Sequence, residues 1–197
     1  DLRQQAEAEV ESSDPVVTAV AAQLEAPVRG TLLATAGGAG AVTRLLTNGA
    51  QVLLVTEPIA RRDGGMVASG EIQLTFVEPG ELWTAVAAVL PPLEALRAPA
   101  VAGSRGTEVP GTPEQLAALL EREEATLQVS IEAWRQAESP SRVWARLWSV
   151  VEGRLLDVRT RHGEAHLRER PPGAVAAELE WALAGAFAET RGSLASP

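Results

Sequence analysis

The residues that could do chemistry in this chain are few, and their spacing decides what they can do. His162 and His166 are the only histidines, and Arg161-His-Gly-Glu-Ala-His166 has the four-residue spacing that converges on one metal ion when it lies on a helix. Here the segment reads as a turn entering a strand, where four residues separate side chains by about 13 Å, and no third ligand stands nearby. It is read as two surface histidines and no metal site. Gly37-Gly-Ala-Gly40 is glycine-rich, but no P-loop pattern follows, the chain has no lysine to reach a phosphate, and the run lies between strands instead of opening a helix. It reads as a hairpin loop. Glu121, Glu123 and Glu124 crowd the end of a predicted helix around Arg122, which suits a solvated helix end better than the cleft-facing carboxylates of a glycosidase. No serine lies in a Gly-x-Ser-x-Gly elbow, and neither histidine has an acidic orienter. The reading is therefore non-enzymatic, with no catalytic residues and no cofactor.

Tryptophan and arginine carry more information. Trp83 falls among Leu82, Val86 and Leu90 at helical spacing and reads as core. Trp181 is ambiguous, beside Leu179 and Leu183 yet among Glu178 and Glu180. In the hairpin from Val143 to Thr160, a two-residue turn at Glu152-Gly153 sets Val151 opposite Arg154 and Leu147 opposite Val158. The other face then carries Trp144, Arg146 and Trp148 opposite Arg161, Arg159 and Asp157, because side chains alternate with period 2. Trp and Arg are the residues most enriched at binding hot spots. Arg146 opposite Arg159 would repel, which an acidic partner relieves. Two readings of this face stay open: a partner surface, or a face covered by helices of the same chain with its arginines reaching out to water. A second candidate surface is the long loop Pro58 to Gly70, with Ile59, Arg61, Arg62 and Met66; its alternative is a disordered tip.

The elements that must position these residues form a repeat. Asp14-Pro15 caps a helix carrying Val17, Val20, Ala21 and Leu24 until Pro27. Strands follow at Gly30 to Ala36, Val42 to Thr47 and Ala50 to Thr56, with Asn48-Gly49 as a type I′ turn signal. Ile72-Leu74-Phe76 makes a fourth strand, and Pro79-Gly80 opens a helix that ends at Pro91-Pro92. The order recurs about a hundred residues on: a helix capped by Thr112-Pro113, strands around Leu127–Ile131, Val143–Leu147, Leu156–Val158 and Ala165–Leu167, then a helix opened by Pro171-Pro172-Gly173. Glu71 to Gly80 and Glu164 to Gly173 align at a constant offset of 93. The expected fold is α/β (α+β): one domain over 1–197, a quasi-two-fold repeat of α-β-β-β-β-α halves at 14–98 and 112–190. A Gly/Pro-rich linker at 99–111 joins them, around a largely antiparallel sheet flanked by helices.

Composition bounds what such a domain does. The 197 residues carry 17 Arg against 26 acidic residues, a formal net charge of −9, with no cysteine and no tyrosine. That charge argues against nucleic acid and against an anionic membrane surface, and the lack of cysteine removes thiol and disulfide chemistry. No apolar run is long enough to insert in a membrane. The chain opens at Asp1 without a Met or a charged-then-apolar leader, so it is read as a fragment or the ordered part of a longer protein, cytoplasmic by default.

Three stretches resemble the EspG family, the cytosolic chaperones of actinobacterial type VII (ESX) secretion. The helix Asp14-Pro-Val-Val-Thr-Ala-Val-Ala-Ala-Gln-Leu-Glu-Ala-Pro27 is similar to the family's Asp-Pro-x-Val helix. Glu78-Pro-Gly-Glu-Leu-Trp83 is similar to its strand-to-helix junction, and Arg168-Glu-Arg-Pro-Pro-Gly173 to the residues before its last helix. The order of elements agrees from about Leu2 to Ala188, with a shorter N-terminal region and a shorter linker than family members commonly have. The resemblance implies a chaperone that binds the helical tip of a PE/PPE-like or WXG-type secretion substrate and keeps it soluble. The partner-binding residues expected on the two candidate surfaces are Trp144, Arg146, Trp148, Arg159, Arg161, Ile59, Arg61, Arg62 and Met66. The alternative is a homodimeric scaffold or regulatory module using the same face; an enzyme would have only Ser, Asp, Glu and Arg for most of its chemistry.

Overall fold

Tight turns fold this chain into hairpins. The computed structural model describes residues 20–21, 23–101, 106–134, 141–161 and 164–192, the side chains of Arg161, Glu164 and Gly192 excepted. Strands β1 (Val28–Ala36) and β2 (Ala39–Thr47) are joined by Gly37 and Gly38, both left-handed at φ 57° and 84°. That is type I′ geometry, open to glycine without steric cost. Strand β3 (Val52–Arg62) follows a four-residue loop, not the two-residue Asn48-Gly49 turn expected. Asn48 Oδ1 accepts from the N–H groups of Ala50 and Gln51, while Thr47 Oγ1 accepts from Gly49 and donates to the Gln51 carbonyl. These side-chain bonds hold the longer loop in shape.

The expected loop from Pro58 to Gly70 is largely strand. β3 continues to Arg62, turns at Asp63-Gly64 (φ 49° and 83°) and returns as β4 (Gly65–Ala68). Asp-Gly is itself a type I′ signal, but the exposed residues around it lack the apolar alternation that marks a strand. β5 (Gln73–Val77) pairs with the earlier part of β3. Helices α1 (Leu82–Val89) and α2 (Glu94–Arg97), the short β6 (Thr107–Glu108) and helix α3 (Pro113–Leu120) come next. Thr112 and Gln115 close a capping box at the start of α3. Then come β7 (Glu123–Ala133), β8 (Ser141–Val151), β9 (Arg154–Arg161), β10 (Glu164–Arg170) and the 19-residue α4 (Ala174–Gly192). Glu152 and Gly153 make the expected two-residue turn, both with positive φ, and set Val151 opposite Arg154.

The result is a mixed α+β fold with few helices and one large sheet. Its strand order is β4-β3-β2-β1-β7-β8-β9-β10-β6, with β5 also on β3, and every pairing among the described residues is antiparallel. β1 and β7 meet at its centre in a nine-pair register from Val28↔Ala133 to Ala36↔Ala125. On one face Val28, Leu32 and Ala34 of β1 line up with Ala125, Leu127, Val129 and Ile131 of β7, and α1, α2 and α4 cover them. On the other face α3 covers only one end, where Leu116 and Leu119 pack on Val151, Leu156 and Leu167. Among the described residues no helix is long and apolar enough to cross a membrane.

Leu32 is buried beneath the helices opposite Val129, so Leu32→Ala should lower unfolding free energy by about 3 kcal/mol. Urea denaturation, showing a lower midpoint at unchanged slope, checks it.

Candidate partner-binding face

Alternation along β8 sends Trp144, Arg146, Trp148 and Val150 to the face that α4 covers. Trp148 is 0% exposed and Trp144 7%, and both belong to the core built with Leu179, Ala182, Leu183 and Ala186 of α4. Their ring centroids lie 5.7 Å apart at an interplanar angle of 49°. Of the two readings of this face, the structure has the covered one: two large rings and the apolar side of a long helix bury each other. Removing about 200 Å² per ring from water is worth up to about 5 kcal/mol.

Arg146, between the two rings, escapes sideways. Its guanidinium carbon lies 5.4 Å from the centroid of the Trp144 ring, and its Nε is 3.4 Å from Glu178 Oε2 on α4. Arg170 Nη2 meets the other oxygen of Glu178 at 2.5 Å. Asp157, 0% exposed, accepts from Arg159 Nε at 3.0 Å and Nη2 at 2.6 Å. That hydrogen bond raises the Arg159 pKa above its ordinary value; burial opposes it, and the charges of Asp157 and Glu178 add to it. The acidic complement expected from a partner is therefore supplied within the chain. Arg161 contributes its backbone to β9, and its side chain lies outside the described residues.

The two arginines do not stand side by side. The β8/β9 ladder runs from Val151↔Arg154 to Trp148↔Asp157 and stops. The expected Leu147/Val158 and Arg146/Arg159 pairs are not made: facing guanidinium groups would repel, and each reaches its own carboxylate instead. The strands part into a cleft of about 370 Å³ lined by Gln128, Ala145, Arg146, Leu147, Val158 and Arg159.

This cleft opens on the face of the sheet away from α4. There the registers set Val42, Leu33, Gln128 and Leu147 in one row across β2, β1, β7 and β8, and Arg44, Thr31, Ser130 and Ala145 in the next. Thr31, Arg44, Gln128, Ala145 and Leu147 are exposed, Leu147 at 37%. Thr35 and Thr126 join hydroxyls at 2.6 Å in the row on the other side of Leu33 and Gln128. The face mixes aliphatic patches with hydroxyl and amide groups and offers a shallow surface with one cleft. It can hold a partner segment by contact and hydrogen bonding.

The second expected surface is the β3–β4 hairpin. Arg61, Arg62 and Met66 are exposed there, whereas Ile59 is buried. Val67, and Ile72 and Leu74 just beyond, are also exposed, so this edge of the sheet carries its own apolar strip. It lies at the opposite end of the strand order from the cleft, beyond β2. Of the residues considered for chemistry, His166 Nδ1 stands 3.8 Å from Glu108, and His162 lies outside the described residues. No cluster of three metal-ligating groups occurs among the described residues. Glu123 accepts from Ser149 Oγ and Glu124 from the Gly153 N–H, so both tie down the end of the β8/β9 hairpin.

No protein-family model matches the chain, and no curated protein matches it. Among solved structures it is similar to the Mycobacterium tuberculosis type VII secretion system chaperone EspG5 in complex with a PE25–PPE41 dimer. The match has 13% identity and a TM-score of 0.44, and it covers 87% of this chain and 78% of that one. That protein bears the name of the family that the sequence resembles.

Gln128, Ala145 and Leu147 were missed because the apolar run Leu147, Val151, Val158 reads as the core side of its hairpin. Alternation separates two faces; it does not say which one a helix will cover. Trp148→Ala should cost about 3–5 kcal/mol, and Leu147→Ala less than about 1 kcal/mol. Thermal melts of the two variants check the assignment of faces.

Proposed function

We propose that the chain is a non-catalytic chaperone of type VII secretion that acts in the cytoplasm and binds the helical tip of a PE/PPE-like or WXG-type substrate. The sequence resemblance supplies the class of client. The observation that carries the reading is the sheet face that no described helix covers beyond the end held by α3, with Leu33, Gln128 and Leu147 in one row and Thr31, Ser130 and Ala145 in the next. A helix laid on a sheet needs such a surface: aliphatic enough to desolvate, polar enough to stay soluble while empty. The net charge of −9 keeps the free chaperone from self-aggregating.

The quasi-two-fold arrangement belongs to the same reading. β7, β8, β9, β10 and α4 follow one another as β1, β2, β3, β5 and α1 do. Val77 of β5 pairs with Val52 as Arg170 of β10, 93 residues on, pairs with Leu155. Such a relation between halves would set β1 and β7 at the centre, as the strand order has them, with the proposed client face across both.

Co-expression with PE/PPE-like pairs from the same genome, followed by size exclusion with light scattering, tests the function. A stoichiometric complex should form with the wild type. Ala145→Glu combined with Leu147→Glu should weaken it at least about tenfold, equivalent to 1.4 kcal/mol, while leaving the melting temperature nearly unchanged. Failure of the wild type to retain any such pair would overturn the chaperone reading. Full retention by the double variant would remove this face from it.

A further inference from the structure

Helix α4 is apolar on two sides, and only one of them meets the sheet. Val175, Leu179, Ala182, Leu183 and Ala186 are buried. On the opposite side Trp181 is 68% exposed, the most exposed large apolar side chain among the described residues. Ala184, Gly185 and Ala188, one and two turns further on, are exposed beside it. A second apolar stripe on a helix is surface left for a further contact.

We infer that this outer side of α4 docks against α4 of a second copy of the chain, in an antiparallel pair about a two-fold axis near Ala184 and Gly185. The side is self-complementary, as an isologous contact requires. It carries a large knob, Trp181, and a shelf of small residues three to seven positions along on the same stripe. Antiparallel pairing lays each Trp181 on the partner helix near its Ala188, and the small residues at the crossing let the two backbones approach closely. A Cβ added at Gly185 meets nothing within 4 Å in one copy, so the shelf is free to receive a partner.

Charge fixes the same direction. At 100° per residue, Glu180 and Arg191 fall on one flank of the exposed stripe, the eleven residues between them turning them the same way to within about 20°. Both are exposed. In a two-fold antiparallel pair a flank meets its own copy, so Glu180 of each chain comes opposite Arg191 of the other, twice per dimer. A parallel pair would turn this flank toward the partner's opposite flank, and Glu180 and Arg191 would not meet. Trp181 as a central aromatic anchor, rimmed by charge pairs, has the anatomy of a binding hot spot.

This inference is independent of the client reading, because α4 covers one face of the sheet and the open rows lie on the other. Light scattering over a dilution series should give twice the 20.7 kDa chain mass. Trp181→Glu and Gly185→Leu should each return the chain mass with unchanged circular dichroism and melting temperature. Glu180→Arg should weaken the dimer, and adding Arg191→Glu should restore it. Because the chain has no cysteine, Ala184→Cys should form a disulfide-linked dimer on oxidation, whereas Ala117→Cys on the exposed side of α3 should not. A wild type that stays at the chain mass throughout would overturn the proposal. So would a dimer that survives both Trp181→Glu and Gly185→Leu.

Discussion

The packing of α4 on Trp144 and Trp148 decides what the rest of the molecule can present. A sheet buries one face with a single long helix and leaves the other to solvent unless a further element covers it. Here the largest aromatic surface of β8 lies beneath α4, and among the described residues no helix covers the aliphatic and polar rows on the opposite side of β2, β1, β7 and β8. The central β1/β7 pair, joining strands about a hundred residues apart in sequence, makes that open face continuous across the molecule.

The ionic groups follow from the same packing. Arg146 comes between Trp144 and Trp148 along β8 and is half-buried, so its guanidinium turns toward a counter-charge that offsets part of its lost hydration. Glu178, on the helix that buries the rings, neutralises both Arg146 and Arg170. Asp157 does the same for Arg159. Each arginine drawn to its own carboxylate leaves the β8/β9 ladder, and the ladder stops where their side chains would have met. The cleft beside Leu147 begins where that ladder ends.

Much of this was legible in the sequence. The Glu152-Gly153 turn and the facing of Trp148 and Asp157 follow from period-2 alternation about a two-residue turn, and the structure keeps both. The Asp63-Gly64 hairpin was written in its dipeptide but obscured by exposed flanks, where no burial pattern marks a strand. The direction of the β8 faces was not legible. Both candidate sides of that hairpin carry large apolar residues, and the choice between them is made by α4, some thirty residues away in sequence. Local pattern specifies which residues travel together; tertiary packing specifies which set goes inside.

Trp181 shows the same limit from the other direction. Its neighbours Leu179 and Leu183 are core, and a helix with only one apolar stripe would have carried a polar residue at 181. That it carries tryptophan, followed by Ala184, Gly185 and Ala188, gives α4 two apolar sides with different tasks. The inner side holds the sheet, with leucine and valine filling the spaces between strands. The outer side has one large residue and then almost no side-chain volume, a pattern poor for covering a broad sheet and well suited to a close crossing of two helices. A dimer made through it points the two open sheet faces away from each other, so that self-association and client capture do not compete for surface.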